Sequence, residues 1–396
     1  MEFSHKLQQL PPQFFANLVQ KVNIAIAEGR DVINLGQGNP DQPTPDNIIK
    51  ALQIAAEDPQ SHKYPPFRGI QPLKEAVAAF YEREYGVQID PNTEVAIMGG
   101  TKTGLVELPM ALLNPGDYML LPDPGYPDYL SGAVLAEVNY DFMPLLAENQ
   151  FLPDYDALPA EVKERAKLLY INYPNNPTGG TANKEFFNDT VALAKKHDIA
   201  IVHDFAYSAI GFDGEKPLSF LQAEGAKDVG IEMYTLSKTY NMAGWRIGMA
   251  VGNAKMIEAI NLIQDHLFCS VFPGIQHAAV EALNGDQSAV VALQEMYERR
   301  RNVLVEACHR IGWEVKAPKG SFFAWLPVPE GFTSEQFTNL LLEKANVAVA
   351  SGNGFGKHGE GYVRVGLLVS EERLVEAVER IEKLGLFKVE PVNSKV

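Results

Sequence analysis

Apolar positions along the chain switch between two periods. From about residue 94 to 253, short β-rich runs recur: EVAIMGG, YMLLPDP, KLLYINYP, IAIVHDFAY, GIEMYTLS and WRIGMAVGN. Between them lie segments with helical spacing, such as TGLVELPMALL and NKEFFNDTVALAKKH. Near-continuous apolar strands alternating with helices predict an α/β unit whose mostly parallel central sheet is covered on both faces. Ligands of such sheets gather beyond the carboxyl ends of the strands.

The pattern then changes. SAVVALQEMYERRRNVLVEACHRIG reads as one long helix, a beam from the large unit to a smaller one. Beyond it, Thr333 with Gln336 forms a capping box before FTNLLLEKA, and Ser370 precedes an amphipathic run with Leu374, Val378 and Ile381 on one face. ANVAVASG and GYVRVGLL alternate as strands do, so this tail is expected to be α+β. The expected division is an N-terminal segment, 1–44, that joins the small domain, a large domain, 45–288, and a small C-terminal domain, 289–396.

Composition narrows the function. At about one domain per 150 residues, 396 residues suit two or three domains. Hydrophobic residues at 46% and charged residues at 21% are ordinary for a globular protein. Fifty acidic against 34 basic residues, a net charge of −16, argue against a nucleic-acid binder or a partner of anionic membranes. The N-terminus has no apolar signal core and no long apolar span occurs, so a cytoplasmic protein is expected. Cys269 and Cys308 lack CxxC spacing, which leaves no zinc site; both are expected to be buried packing residues.

Candidate chemistry lies at the strand ends. GGTKTG (99–104) joins a strand to a helix, where free backbone N–H groups attract an oxyanion such as phosphate; the bland alternative is a tight turn. Asp204 ends IAIVHD, where it can cap a helix or keep a heterocyclic nitrogen protonated. YTLSKTYNMAGWRIG (234–248) places Lys238 and Arg246 among apolar, small and hydroxyl residues, although stripping water from an ion costs several kcal/mol. A lysine in such surroundings has a lowered pKa and can form a Schiff base with a carbonyl. NYPNNPTGG (172–180) closes another strand, so that it, GGTKTG, PDPGY and HDFAY should border one cleft.

The ordered set NPTG, D-x-A-Y and S-K-x7-R, spread over nearly the whole chain, resembles the class I/II aminotransferases of fold type I, which use pyridoxal 5′-phosphate. The resemblance implies that the large domain binds this cofactor and that Lys238 is the Schiff-base lysine and proton carrier. It makes Asp204 the partner of the pyridine nitrogen and gives Tyr207 and Asn176 the ring 3′-oxygen. Gly100, Thr101, Lys102, Thr235 and Arg246 would cradle the phosphate, and Tyr126 would stack on the ring. Tyr64 would reach the phosphate of a neighbouring subunit, which implies a homodimer with shared active sites. Arg364, with Gly38 and Asn176 beside it, would take the substrate α-carboxylate, a charge-assisted contact of roughly 1.5 to 3 kcal/mol per bond. The reaction implied is ping-pong transfer of an amino group between an amino acid and a 2-oxo acid, with no metal.

The longer strings QGNPDQPTP, LSKTYNMAGWR and GNGFGKHGEGYVRVGL are similar to a bacillary methionine-salvage branch that aminates 4-methylthio-2-oxobutanoate with glutamine as the typical donor. Related branches act on aromatic amino acids, aspartate or LL-diaminopimelate, and a carbon–sulfur β-lyase shares the fold. GFGKHG (354–359) matches the dinucleotide fingerprint G-x-G-x-x-G only literally, because a strand-like run follows it rather than a helix. His203 beside Asp204 is not a metal pair, since adjacent strand residues face opposite ways.

Overall fold

The computed structural model describes residues 2–387. In chain order the strands are β1 (Ile33–Asn34), β2 (Val95–Met98), β3 (Tyr118–Asp123), β4 (Asn139–Pro144), β5 (Ala166–Asn172) and β6 (Ala200–Asp204). They continue with β7 (Gly230–Thr235), β8 (Gly248–Gly252), β9 (Phe323–Pro327), β10 (Val347–Ala348), β11 (Ala350–Ser351) and β12 (Tyr362–Gly366). Seven form the central sheet in the order β2-β8-β7-β6-β5-β3-β4. All run parallel except β8, which is antiparallel to both neighbours.

Period-two alternation splits the core between the two faces. Val95 and Ile97 point toward the helices Gln71–Tyr85, Lys184–His197 and Pro273–Asn284. Ala96 and Met98 point toward Thr101–Leu112, Tyr129–Leu135 and Ala254–Leu267. The edge strand β4 has no counterpart among the expected strands. Its sequence, NYDFMP, keeps Tyr140 and Phe142 exposed, and a strand buried on so little of its surface leaves no apolar run to read.

The tail folds as its starts predict. The side chain of Thr333 accepts from the backbone N–H of Gln336, whose side chain accepts from Thr333 in return, and Ser370 caps the helix Glu371–Glu382. These helices and the long Ser288–Arg310 pack on the antiparallel sheet β11-β12-β9. β1 pairs with β10 in parallel, and Val22 and Ala25 of the helix Phe14–Ala27 pack against Leu342 and Ala348. Cys308 is buried, but Cys269 is exposed, which corrects the packing role expected for it: it sits in a short irregular link between two helices. Among the described residues no helix is long and apolar enough to cross a membrane.

Candidate active site

Because β8 alone runs backwards, its start lies at the same sheet edge as the carboxyl ends of β2, β3, β5, β6 and β7. The segment from Thr235 to Arg246 therefore leaves and re-enters the sheet at one edge, carrying Lys238 and Arg246 with it. A cavity of about 290 Å³ opens there, bordered by all four loops expected to share a cleft. Thr101 and Lys102 come from the first, Tyr126 from the second, Asn176 from the third, and Asp204 and Tyr207 from the fourth.

Positive charge dominates the cavity. Lys238 lies on a single helical turn, Leu236–Thr239, capped by the Thr235 hydroxyl, and its Nζ donates to the Gly38 carbonyl at 2.8 Å. Burial pulls its pKa down to about 8, Arg364 and Arg246 add to the effect, and Asp204 opposes it. A buried amine without a carboxylate in contact is neutral far more often near neutral pH than a surface lysine.

Arg364, in the middle of β12, is 1% exposed. Nη1 donates to Asn176 Oδ1 at 2.9 Å and Nη2 to the Gly36 carbonyl at 3.0 Å, while Nε has no hydrogen-bond partner among the described residues. The rings of Phe323, Phe355 and Phe15 have their centroids 3.9, 4.8 and 5.0 Å from the guanidinium carbon. Burial lowers its pKa to about 9. Aromatic faces offset only part of the desolvation of a cation, so this guanidinium is set to receive an anion.

The turn at GGTKTG lies against Arg246. Gly100 adopts φ +95°, and a Cβ there would lie 2.3 Å from Arg246 Nη2, so only glycine lets the guanidinium approach the turn. Arg246 also donates to the Ala243 carbonyl at 2.9 Å. Thr101 opens the helix behind the turn. Lys102 borders the cavity, but its amine pairs with Asp128 at 2.9 Å, so its charge is already answered.

Asp204 ends β6 and caps no helix. Tyr129 donates its hydroxyl to Oδ2 at 2.8 Å, and Oδ1 is buried with no partner. Burial pushes the Asp204 pKa up to about 6, against the Tyr129 hydrogen bond. A lone carboxylate oxygen in this setting calls for an N–H donor. His203 faces the other way, bonded to Glu232 and the Tyr173 carbonyl. An anion cradle, a neutralisable amine, a carboxylate oxygen awaiting a donor and the ring of Tyr126 are what pyridoxal 5′-phosphate needs, so the residues present fit it.

Of the expected residues, Gly38, Thr101, Lys102, Tyr126, Asn176, Asp204, Tyr207, Thr235, Lys238, Arg246 and Arg364 border the cavity, and Gly100 adjoins it. Tyr64 does not: it is 85% exposed, in a separate groove with Cys269 and Phe272. Other residues of the site were not foreseen. Asn172 donates to the Asp204 carbonyl at 2.7 Å and accepts from Asn176 N at 2.7 Å, locking two cavity loops together. A polar residue ending an apolar strand run is a signal that could have found it. Phe15 and Phe323 carry no such mark, because aromatic residues in a helix and a strand read as core.

The sequence profile of the family described as Aminotransferase class I and II matches residues 30–381. The chain is 65% identical over 392 residues to the L-glutamine–4-(methylsulfanyl)-2-oxobutanoate aminotransferase of Bacillus subtilis (strain 168), covering 99% of this chain and 98% of that protein. It is 46% identical to an LL-diaminopimelate aminotransferase of Syntrophobacter fumaroxidans, covering 96% and 98%. The substrate-bound structure of BacF from Bacillus subtilis superposes with a TM-score of 0.94 at 49% identity, covering 98% of this chain and all of that one. The chain thus belongs to the class I and II aminotransferases, enzymes that use pyridoxal 5′-phosphate to move an amino group between an amino acid and a 2-oxo acid.

Proposed function

We propose that this aminotransferase makes methionine from 4-methylsulfanyl-2-oxobutanoate with glutamine as donor, each active site being completed by a second copy of the chain. The observation that carries the substrate class is the charge count of the cavity. Its cations are Lys238, Arg246, Arg364 and Lys102, and Lys102 is neutralised by Asp128. With one cation for a phosphate, one for an α-carboxylate and one as the reactive amine, the described residues of this chain's own cavity leave none for a second substrate carboxylate. A neutral side chain against Phe15, Phe323 and Tyr126 fits that remainder, as does the 65% identity to an enzyme named for this substrate pair.

When bound, the cofactor supplies an aldehyde carbon for amino groups and a ring that takes up the electrons left when the substrate Cα loses its proton. Lys238 would hold it through its amine, and the same amine, when free and neutral, would take the proton from the substrate Cα. Asp204, held by Tyr129, keeps the ring nitrogen protonated through its free Oδ1. Asn176 and Tyr207 serve the ring oxygen, and Tyr126 stacks on the ring. Gly100, Thr101, Lys102, Thr235 and Arg246 hold the phosphate, while Arg364 and Gly38 orient the substrate. One site serves both half-reactions, so the kinetics are ping-pong.

The assignment of Tyr64 to a partner's phosphate is supported by its position: it lines a separate groove rather than its own cavity, and its aromatic hydroxyl stands in solvent beside exposed Phe272. Sedimentation should give twice the 43.6 kDa of one chain, and a monomer with full activity would remove this part of the reading. The proposed division is 1–44 and 289–396 as the smaller unit around 45–288. The two unpaired cysteines are in keeping with work in the cytoplasm.

The test is a panel of acceptors and donors. With glutamine, 4-methylsulfanyl-2-oxobutanoate should yield methionine with a kcat/KM at least about tenfold above that for oxaloacetate or an aromatic oxo acid. A preference for LL-diaminopimelate or aspartate as donor would overturn the substrate assignment, and pyruvate with ammonia as products would indicate a lyase.

A further inference from the structure

The glycine-rich run GNGFGKHGEG (352–361) leads into β12 and touches the far end of β3. Asp123, the last residue of β3, is only 1% exposed. His358 supplies both hydrogen bonds that its carboxylate makes among the described residues, from the backbone N to Oδ1 at 3.2 Å and between Nδ1 and Oδ2 at 2.7 Å. Between these residues, Gly125 N donates to the Phe355 carbonyl at 2.8 Å. Gly356, at φ +131°, passes so close that a Cβ would lie 1.9 Å from Asp123 Oδ1. A buried carboxylate satisfied by one residue of a distant loop, with a glycine shaped to admit it, is a built contact rather than a surface ion pair.

What this contact holds is Phe355. Its ring lies 4.8 Å from the Arg364 guanidinium carbon and meets Phe14, Phe15 and Trp325 edge-on at 5.5, 5.9 and 5.9 Å. Among the described residues Arg364 has no carboxylate to fix its plane, only Asn176, the Gly36 carbonyl and the rings of Phe15, Phe323 and Phe355. The other end of the contact is three residues from Tyr126, in the wall of the same cavity.

We propose that Asp123 and His358 form a clasp that seats Phe355 against Arg364, which makes His358 a positioning residue for the substrate carboxylate. The proposal rests on the reading of Arg364 as the carboxylate site. Without the imidazole, a buried carboxylate keeps one backbone donor, the loop at 355–358 loosens, and the guanidinium loses one of the faces that orient it. Lys238 and Asp204 touch none of these groups, so binding weakens while chemistry on bound substrate continues.

His358→Ala, loaded with cofactor and carrying the wild-type absorption spectrum, should raise KM for both amino donor and oxo acid about tenfold with kcat changed less than about twofold. His358→Asn should recover to within about threefold of wild type, because the asparagine amide nitrogen occupies the place of Nδ1 and donates the same bond. In an Asp123→Asn background the added effect of His358→Ala should fall below about twofold, since the two residues act as one unit. Unchanged KM values in folded His358→Ala, loss confined to kcat, or additive effects in the double variant would each overturn the clasp. Should His358→Ala not fold, His358→Leu, which keeps side-chain bulk but has no donor, decides by the same criteria. Arg364→Ala, measured in parallel, separates the two ideas. If it raises KM and His358→Ala does not, only the clasp is wrong; if it leaves KM unchanged, the carboxylate reading fails and the clasp with it.

Discussion

Lys238→Ala is expected to lower kcat by about 10⁴-fold or more, because one substitution removes the residue proposed as both covalent anchor and proton carrier. The structure makes this nitrogen suited to both tasks. Burial, with Arg364 and Arg246 nearby, brings its pKa to about 8, and no carboxylate contacts it. At a pH near 8 about half of the amine is neutral, whereas a lysine at its ordinary value would be almost wholly protonated. Alanine leaves the Gly38 carbonyl without its donor, a small loss beside the loss of chemistry. Borohydride reduction and peptide mapping provide the measurement. Wild type should carry the reduced cofactor on the Lys238 peptide and the variant on none; an adduct elsewhere, or activity within tenfold of wild type, would refute the assignment.

Arg364→Ala should raise KM for amino acid and oxo acid by roughly 10²- to 10⁴-fold, the loss of two charge-assisted hydrogen bonds at about 1.5 to 3 kcal/mol each. Cofactor affinity should change only a few-fold, since the turn at Gly100 and Arg246, proposed to hold the phosphate, is formed without this residue. Stability should suffer modestly: Asn176 Oδ1 and the Gly36 carbonyl each lose a donor, but an incompletely compensated buried cation also leaves. Arg364→Lys should resemble alanine more than wild type, because an ammonium cannot reach both acceptors and a substrate carboxylate with a planar fork. Loss of cofactor with unchanged KM would show that this arginine serves the cofactor instead.

Most of the strand–helix alternation was legible because burial on both faces of a sheet imposes apolar runs, and capping imposes Thr333 with Gln336 and Ser370. Strand β4 was not, because an exposed edge imposes no such run. In the site, Lys238, Asp204 and Arg246 were legible as charges placed where an apolar chain tolerates few. Phe15, Phe323 and Phe355 were not, since an aromatic residue that flanks a guanidinium looks in sequence like any other core residue. Lys102 illustrates the converse: its place beside the turn was readable, its pairing with Asp128 was not.

By itself the amino-acid order determined the strand–helix architecture and marked Lys238, Arg246 and the GGTKTG turn as candidates, because these depend on periodicity and on neighbours within a few residues. Only the tertiary structure decided which charges remain unanswered. Lys102 is neutralised while Arg364 is not, Asp204 keeps one free oxygen beside Tyr129, and Tyr64 faces away from its own cavity. The reason is physical: whether a buried charge is paired depends on residues brought together from up to hundreds of positions away, and no local pattern records them.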